Sequence, residues 1–250
     1  MHNKEREQEI LSILKTANGF VSTKQLCDTL FASESSIRRD LKELEERNLV
    51  KRSYGGVLPA TNFSNIITFN HRTKQNIDAK REIAKKAASL IKEGQIIFLD
   101  QSSTAFYLAN ELVNRNGITV ATNNIEIMML LSNSNIKVVS SGGFLSHENR
   151  NCLIGGDASK TFQNIFADIS FFSVKGISAD GTVTDCEREE ILVRSAMMDN
   201  SETKVLLCDS TKFGRKAPYI QCHLKDVDYL ISDGTASQGF SGLNLKTKLL

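Results

Sequence analysis

At 250 residues the chain has room for one large domain, or for a small domain joined to a medium one. With 40% hydrophobic and 24% charged residues it is not a disordered chain. No apolar run approaches the roughly 18 residues that span a bilayer, and the opening MHNKEREQE is too polar for a secretory signal. The expectation is therefore a cytoplasmic protein with no membrane partner. Net charge is only +2, and the first 57 residues carry 10 Lys+Arg against 9 Asp+Glu. Bulk charge thus argues for no nucleic-acid partner, and only local arrangement can do so. The five cysteines are scattered, and no second ligand pair stands at zinc-site spacing from Cys222-His223. No metal site and no cofactor are expected.

In chain order, Ile10, Ile13, Leu14 and Ala17 recur at helical spacing, and Asn18-Gly19 supplies a stop. Ser22-Thr23-Lys24-Gln25 has the form of a capping box, opening a second helix that buries Leu26 and Leu30. Ser33 caps a third, whose apolar line is Ile37, Leu41 and Leu44. At about 100° per residue, Ser35, Arg39 and Lys42 point away from that line and Arg38 projects from its flank. Arginine can grip guanine edges bidentately, while serine and lysine more often hold phosphate. The acidic second half, Glu43, Glu45 and Glu46, is expected to angle away from a duplex. Asn48 closes the helix, Leu49 to Ser53 reads as a strand, and Lys51, Arg52 and Tyr54 lead into a Gly55-Gly56 turn. A helix with an outward basic face followed by a basic hairpin is the form of a winged helix-turn-helix. Its expected DNA-contacting set is Ser22, Thr23, Ser35, Ser36, Arg38, Arg39, Lys42, Lys51, Arg52 and Tyr54. The bland reading is a solvated charged helix beside an ordinary hairpin, and it leaves the ordered caps and wing unexplained.

Residues 58–74 are polar, include Pro59, and read as a linker between a domain at 1–57 and another at 75–250. Ile83, Ala84, Ala87, Ala88 and Ile91 mark a helix leading to Gly94 and the strand Gln95–Leu99. Strands near 118–121, 136–140, 169–174, 204–208 and 228–232 then alternate with helical segments. That rhythm predicts an α/β domain with a mostly parallel, Rossmann-like sheet. Ligands of such sheets gather beyond the carboxyl ends of the strands. There Asp100-Gln-Ser-Ser-Thr104 precedes a helix opening at Ser102 or Ser103, a place where hydroxyls and free N–H groups suit a phosphate. Helix capping uses the same geometry, so both roles can hold for Ser102, Ser103 and Thr104. Thr122-Asn123, Ser141-Gly142-Gly143, Lys175-Gly176 and Asp209-Ser-Thr-Lys212 follow strands in the same way. Lys212 is the preferred point charge for an anion. Asp100 and Asp180 either hold ligand hydroxyls or fix their own turns. Gly142, Gly143, Gly155 and Gly156 are read as tight turns, with Gly142 and Gly176 kept among the candidate ligand contacts. Glu190 and Arg194, one turn apart, read as a structural ion pair. Arg72, Asn76 and Lys80 recur every four residues, as one helical face that either couples the two domains or is merely solvated.

SSIRRDLKELEERNLVKRSYGG at 35–56 resembles the DNA-reading half of the DeoR family of bacterial transcriptional regulators. IFLDQSST (97–104), TN (122–123), SGG (141–143), GG (155–156), KGISADGTVT (175–184) and LLCDSTKFG (206–214) follow in that family's order. The resemblance implies a winged helix joined to a domain similar to ribose-5-phosphate isomerase. It also implies repression of sugar-catabolism genes until a phosphorylated sugar binds, and an R…N…K pattern matching Arg72, Asn76 and Lys80. The chain departs from the pattern at Ser102, where many relatives have Gly, at Tyr54, where His is common, and at Val174-Lys175, which adds a cation. These departures suggest a strongly anionic effector.

The rival reading is a working phosphosugar isomerase. Proton transfer between aldose and ketose needs a positioned carboxylate base. The isomerase relatives carry a DGADE-like cluster on the strand matching 171–177, where this chain has Phe-Phe-Ser-Val-Lys-Gly-Ile. The expectation is a regulator, not an enzyme: a repressor of a carbohydrate operon that binds double-stranded operator DNA and a sugar phosphate. Paired half-sites imply a homo-oligomer, a dimer or tetramer.

Overall fold

The computed structural model describes residues 3–17, 21–47, 49–53, 55–59, 69–147, 149–234 and 247–250. Asn18, Gly19, Asn48 and Tyr54 lie outside them, so the helix stops assigned to the asparagines and the wing role of Tyr54 are not described here. The chain divides into two compact units, 1–70 and 71–250.

The first unit contains α1 (Asn3–Ala17), β1 (Val21–Ser22), α2 (Thr23–Leu30), α3 (Glu34–Glu46), β2 (Val50–Ser53) and β3 (Gly56–Pro59). The Ser22/Gln25 capping box closes reciprocally at the start of α2, and Ser33 Oγ accepts from Ser36 N at the start of α3. Between them Phe31 takes a left-handed backbone, φ 50°, that turns the chain from one helix to the next. Ile10, Leu14, Leu26, Leu30, Ile37, Leu41, Leu44, Val50 and Val57 form the core. β1, β3 and β2 pair antiparallel, and Gly55, φ 78°, makes the β2–β3 turn. Asp40 sits on the apolar side of α3, fully buried, and accepts from Arg6 of α1 through Nε at 2.5 Å and a terminal nitrogen at 3.0 Å. This bidentate pair, the strongest hydrogen-bonded form of an Arg–carboxylate contact, ties α1 across the back of α3.

The second unit runs α4 (Phe69–Thr73, begun just before its boundary), α5 (Ile77–Ala88), β4 (Ile96–Leu99), α6 (Ser103–Leu112), β5 (Thr119–Thr122) and α7 (Ile125–Leu131). Then come β6 (Lys137–Ser140), β7 (Phe144–Leu145), β8 (Leu153–Ile154), α8 (Gly156–Gln163), β9 (Ala167–Phe172), β10 (Gly176–Ile177) and β11 (Thr182–Asp185). It closes with α9 (Arg188–Asp199), β12 (Ser201–Leu207), β13 (Tyr219–His223), β14 (Tyr229–Ile231) and β15 (Lys248–Leu249). Seven strands form a parallel sheet in the order β15-β14-β12-β9-β4-β5-β6. Alternation along β4 builds three layers. Ile97 and Leu99 pack with α5, α6 and α7, while Phe98 packs with α8 and α9, edge-on to Phe162 at 5.1 Å. β10, β11 and β13 form a small antiparallel sheet, and β7 and β8 a short hairpin.

Three expectations need correction. The stretch 58–74 is not uniformly linker, because Leu58 and Pro59 complete β3 and α4 covers Phe69–Thr73. Arg72, Asn76 and Lys80 do not share one helical face. The helix breaks between α4 and α5, with Asn76 at φ 49° as the N-cap of α5. Arg194 is not ion-paired to Glu190; its partners are Asp100 and Asp185.

Candidate functional site

On the first unit, the face of α3 opposite the core is polar. Ser35, Arg38, Arg39 and Lys42 are exposed, as are Lys51 and Arg52 on β2. Their situations differ. Arg38 is held back on Glu34 at 2.6 Å, and Lys42 lies 3.8 Å from Glu46. Arg39 has no hydrogen bond or ion pair among the described residues, so its guanidinium is available at no cost in broken contacts. Ser22 is committed to its capping box, Ser36 shares a hydrogen bond of 2.9 Å with Ser33 Oγ, and Thr23 N–H donates to Gly55 O at 3.0 Å. The acidic end of α3 has a use that was not anticipated. Glu45 accepts from Arg52 N at 2.8 Å and pairs with its guanidinium at 3.1 Å, fixing the wing strand to the helix.

On the second unit, the strand order reverses between β4 and β9: the chain proceeds from β4 to β5 and β6 on one side, and reaches β9 and β12 on the other. That reversal opens the crevice where α/β sheets bind ligands. Asp100 follows β4 there and is fully buried. Its Oδ1 accepts from Ser102 N at 3.0 Å, and its Oδ2 from Ser173 N at 3.0 Å and Arg194 Nε at 3.1 Å. These three bonds hold Asp100 in place and show it fixing its own turn, one of its two readings. Arg194, also buried, pairs with Asp185 at 2.9 Å and donates to Gln221 at 2.9 Å. Burial opposes its charge, but Asp185 and Asp100 outweigh that and hold its pKa above the ordinary value.

Ser102 is the N-cap of α6 and accepts from Ala105 N at 3.0 Å. The N–H groups of Ser103 and Thr104 then open the helix, where no intrahelical acceptor reaches them. Lys175 and Lys212 lie in the loops after β9 and β12, and Lys80 lies in α5. Lys80 is buried, and its Nζ donates to the carbonyls of Arg72 and, at 2.8 Å, Gln75. Burial first, then the charges of Lys212, Arg72 and Lys175, lower its pKa to about 8, against the opposing pull of Asp209. Lys175 is lowered in the same way, by burial and by Arg72 and Lys212. These amines therefore sense one another across the strand ends. Asn76 is exposed and donates to Asp209 at 3.2 Å and Thr211 at 3.3 Å, joining the start of α5 to the loop that carries Lys212. Within the second unit, then, Asn76 and Lys80 brace the mouth of the sheet.

Several other expected contacts also have partners within the protein. A Cβ on Gly176 would come within 2.4 Å of Arg215 O, so that glycine allows two chain segments to touch. Gly143 similarly faces Ile154 O at 2.4 Å, whereas Gly142, φ 67°, faces open space. Asp180 is exposed in the β10–β11 turn, where its accepted bond from Thr182 N at 3.0 Å lowers its pKa. It fixes its own turn. Thr122 accepts from Asn124 N at 3.0 Å, and Asn123, fully buried, donates to Leu153 O at 3.1 Å. Sequence spacing assigns no role to Gln101 or Asn149, and it pairs Glu190 with Arg194 instead of with these amides. Glu190 is buried and accepts from Gln101 Nε2 at 2.8 Å and Asn149 Nδ2 at 2.9 Å. The signal for Glu190 was present in its place on a helix with few polar positions facing inward. Burial raises the pKa of every cysteine with a resolved shift, Cys222 to about 12, which disfavours the thiolate form. Among the described residues no cluster of His, Cys, Asp or Glu could hold a metal ion, and no helix is long and apolar enough to cross a membrane.

A three-helix unit with a basic recognition face and a two-stranded wing, in one chain with an α/β ligand-binding unit, defines a DNA-binding transcriptional regulator. Residues 6–62 match the DeoR-like helix-turn-helix domain, and residues 75–234 match the DeoR C terminal sensor domain. The chain belongs to the DeoR family. It is 32% identical over 98% of its length to the transcriptional regulator YgbI of Escherichia coli, covering 95% of that protein. It is 33% identical to the transcriptional repressor GlcR of Bacillus subtilis, with 97% and 93% of the two chains covered. To the glycerol-3-phosphate regulon repressor of Escherichia coli it is 30% identical, with 93% and 92% covered. Among solved structures it is similar to ribose 5-phosphate isomerase A of Methanocaldococcus jannaschii, with TM-score 0.42, 22% identity and 56% and 55% of the chains covered.

Because Arg39 alone of the α3 arginines is exposed without an acidic partner, its truncation is the informative one. Arg39→Ala is expected to cost about 1–3 kcal/mol of specific operator binding while affecting non-specific DNA much less. A gel-shift titration with equal losses on both DNAs would make it a phosphate contact only.

Proposed function

We propose that this regulator represses a carbohydrate-utilisation operon and releases its operator when a phosphorylated sugar binds at the carboxyl ends of the parallel sheet. The observation that carries the reading is the placement of Lys175 and Lys212 in the loops that follow the parallel strands β9 and β12, with the charges of both bearing on the buried Lys80 of α5. Burial beside other cations lowers the pKa of Lys80 and Lys175 and raises the free energy of the unliganded protein. A dianionic phosphate relieves that repulsion and gains the N–H groups of Ser103 and Thr104 as well. The names of the relatives, a glycerol-3-phosphate regulon repressor among them, support repression as the output and a phosphorylated carbon compound as the input.

The same site argues for a receptor without turnover. Isomerisation needs a carboxylate free to take a proton from carbon. Asp100 is engaged by Ser102, Ser173 and Arg194, and Glu190 by Gln101 and Asn149. Asp185 is engaged by Arg194 and by Cys186 N at 2.7 Å. Each is already oriented by partners within the protein. The proposed assembly is a homo-oligomer of at least two chains, because paired half-sites require two reading helices, and the proposed location is the cytoplasm, where such DNA lies.

Two outcomes test the reading. Lys212→Ala should bind operator as the parent does, yet need roughly tenfold more sugar phosphate for release, the loss of about one charge-assisted contact. Release at an unchanged concentration in a fluorescence anisotropy titration would place the phosphate elsewhere. The second outcome concerns pH. Below about 8 Lys80 is already charged in the free protein. Above that, anion binding must draw in a proton, so affinity should fall as pH rises, by up to tenfold per unit. Phosphate monoesters ionise a second time near pH 6, so they stay dianionic throughout this range. Calorimetry in buffers of different ionisation enthalpy should report proton uptake near pH 8.5; flat affinity with no uptake would contradict the account.

A further inference from the structure

Beyond the carboxyl ends of β4 and β5, three buried amide side chains have one end fixed by the protein and the other open. Gln101 gives its Nε2 to Glu190 Oε2 at 2.8 Å, which leaves Oε1 buried without a partner among the described residues. Asn123 gives its Nδ2 to Leu153 O at 3.1 Å, which leaves Oδ1 buried and likewise unpartnered. Asn124 is turned the other way. Its Oδ1 accepts from Glu126 N at 2.9 Å and Ile127 N at 3.3 Å, and Nδ2 has no partner. These orientations are dictated and not arbitrary. A carbonyl can only accept, the Glu190 carboxylate already takes a second amide from Asn149, and a helix N-terminus can only donate. Turning any of the three amides over would set like against like.

The open groups belong to one neighbourhood. β4 and β5 are adjacent and parallel, with Leu99 opposite Thr122, so Asp100-Gln101 and Asn123-Asn124 leave the sheet side by side. Cys152 joins them from behind. Its Sγ lies 3.9 Å from Asn123 Nδ2 and 3.8 Å from Glu190 Oε1, the carboxylate that also holds Gln101. Gln101 is followed directly by Ser102, the cap of α6. Two open acceptors and one open donor thus border the start of that helix, each buried where an unmet hydrogen bond is costly.

Resting on the phosphate-site reading above, we infer that Gln101, Asn123 and Asn124 are the specificity-determining residues that recognise the hydroxyl groups of the effector, and that the effector is a polyhydroxylated phosphate and not a deoxy or carboxylate analogue. A hydroxyl both donates and accepts, so adjacent hydroxyls on a carbon chain satisfy amide oxygens and an amide N–H together. A carboxylate, which only accepts, leaves both oxygens unmet and repels them. A site built to bond a hydroxyl rejects a ligand that lacks it more strongly than an apolar pocket can.

The test is calorimetric binding to the full chain of inorganic phosphate, glucose 6-phosphate with its 2-deoxy and 3-deoxy analogues, and ribose 5-phosphate with its 2-deoxy analogue. The tightest sugar phosphate should bind about tenfold or more better than at least one of its deoxy analogues. In Gln101→Met and Asn123→Leu that ratio should collapse, with inorganic phosphate bound as before. Equal binding of every deoxy analogue by the parent protein, which needs no variant to fold, would overturn the inference and assign the open amides to bound water. A ratio that survives in folded variants would overturn it too. Binding of inorganic phosphate with no preference for any sugar phosphate would overturn the hydroxyl site alone. Binding of neither would overturn the phosphate site beneath it.

Discussion

A guanidinium sealed inside the α/β unit organises everything at the ligand-binding end of the sheet. Arg194 is 1% exposed and cannot shed its charge, so it must be paired where it sits. Its two carboxylates come from different parts of the chain, Asp100 after β4 and Asp185 at the end of β11. Asp100 in turn takes the N–H groups of Ser102 and Ser173, which are the first turns after β4 and β9. One buried cation therefore fixes both lips of the crevice and the start of α6. Removing one member of such a cluster strands the others, at a cost of about 3–5 kcal/mol, which is why these residues are structural even though they line a functional cleft.

That arrangement separates two kinds of charge. Asp100, Asp185 and Glu190 are held by partners within the protein, while Lys80 and Lys175 are buried near other cations that lower their pKa, with Asp209 and Asp185 pulling the other way. Cations and protein-held carboxylates thus occupy different places at these strand ends. In the winged-helix unit the logic runs the other way. Glu34, Glu45 and Glu46 hold Arg38, Arg52 and Lys42 in place, and Arg39 stands clear. A near-neutral unit can thus present a cationic reading face, because its acidic residues fall on the flanks and the far end of α3.

Much of this was legible in the sequence, and for definite reasons. The capping boxes, the apolar line of α3 and the strand–helix rhythm are local signals, and the structure places α2, α3, β4 and α6 where they fall. Ser102 as a helix cap follows from a short hydroxyl side chain placed just before a helical run. What was not legible depends on pairs distant in the chain. Arg194 was assigned to Glu190 by its i,i+4 spacing, but the buried partners lie 94 residues away at Asp100 and beside it at Asp185. The break at Asn76 was hidden because R, N and K at intervals of four imitate a helix face. Asp40 had a signal that was passed over: a carboxylate next to the apolar line of an amphipathic helix needs a buried cation, and Arg6 supplies it.

The central claim is that an anion at the strand ends and DNA at the winged helix oppose each other through one protein. Linkage makes this testable in both directions, since each ligand must weaken the other by the same factor. The direct measurement is a reciprocal titration: operator affinity at saturating sugar phosphate, and sugar phosphate affinity at saturating operator. The account predicts matching losses, of roughly tenfold or more. Sugar phosphate that binds with full affinity to the DNA-bound protein and leaves operator binding untouched would contradict it.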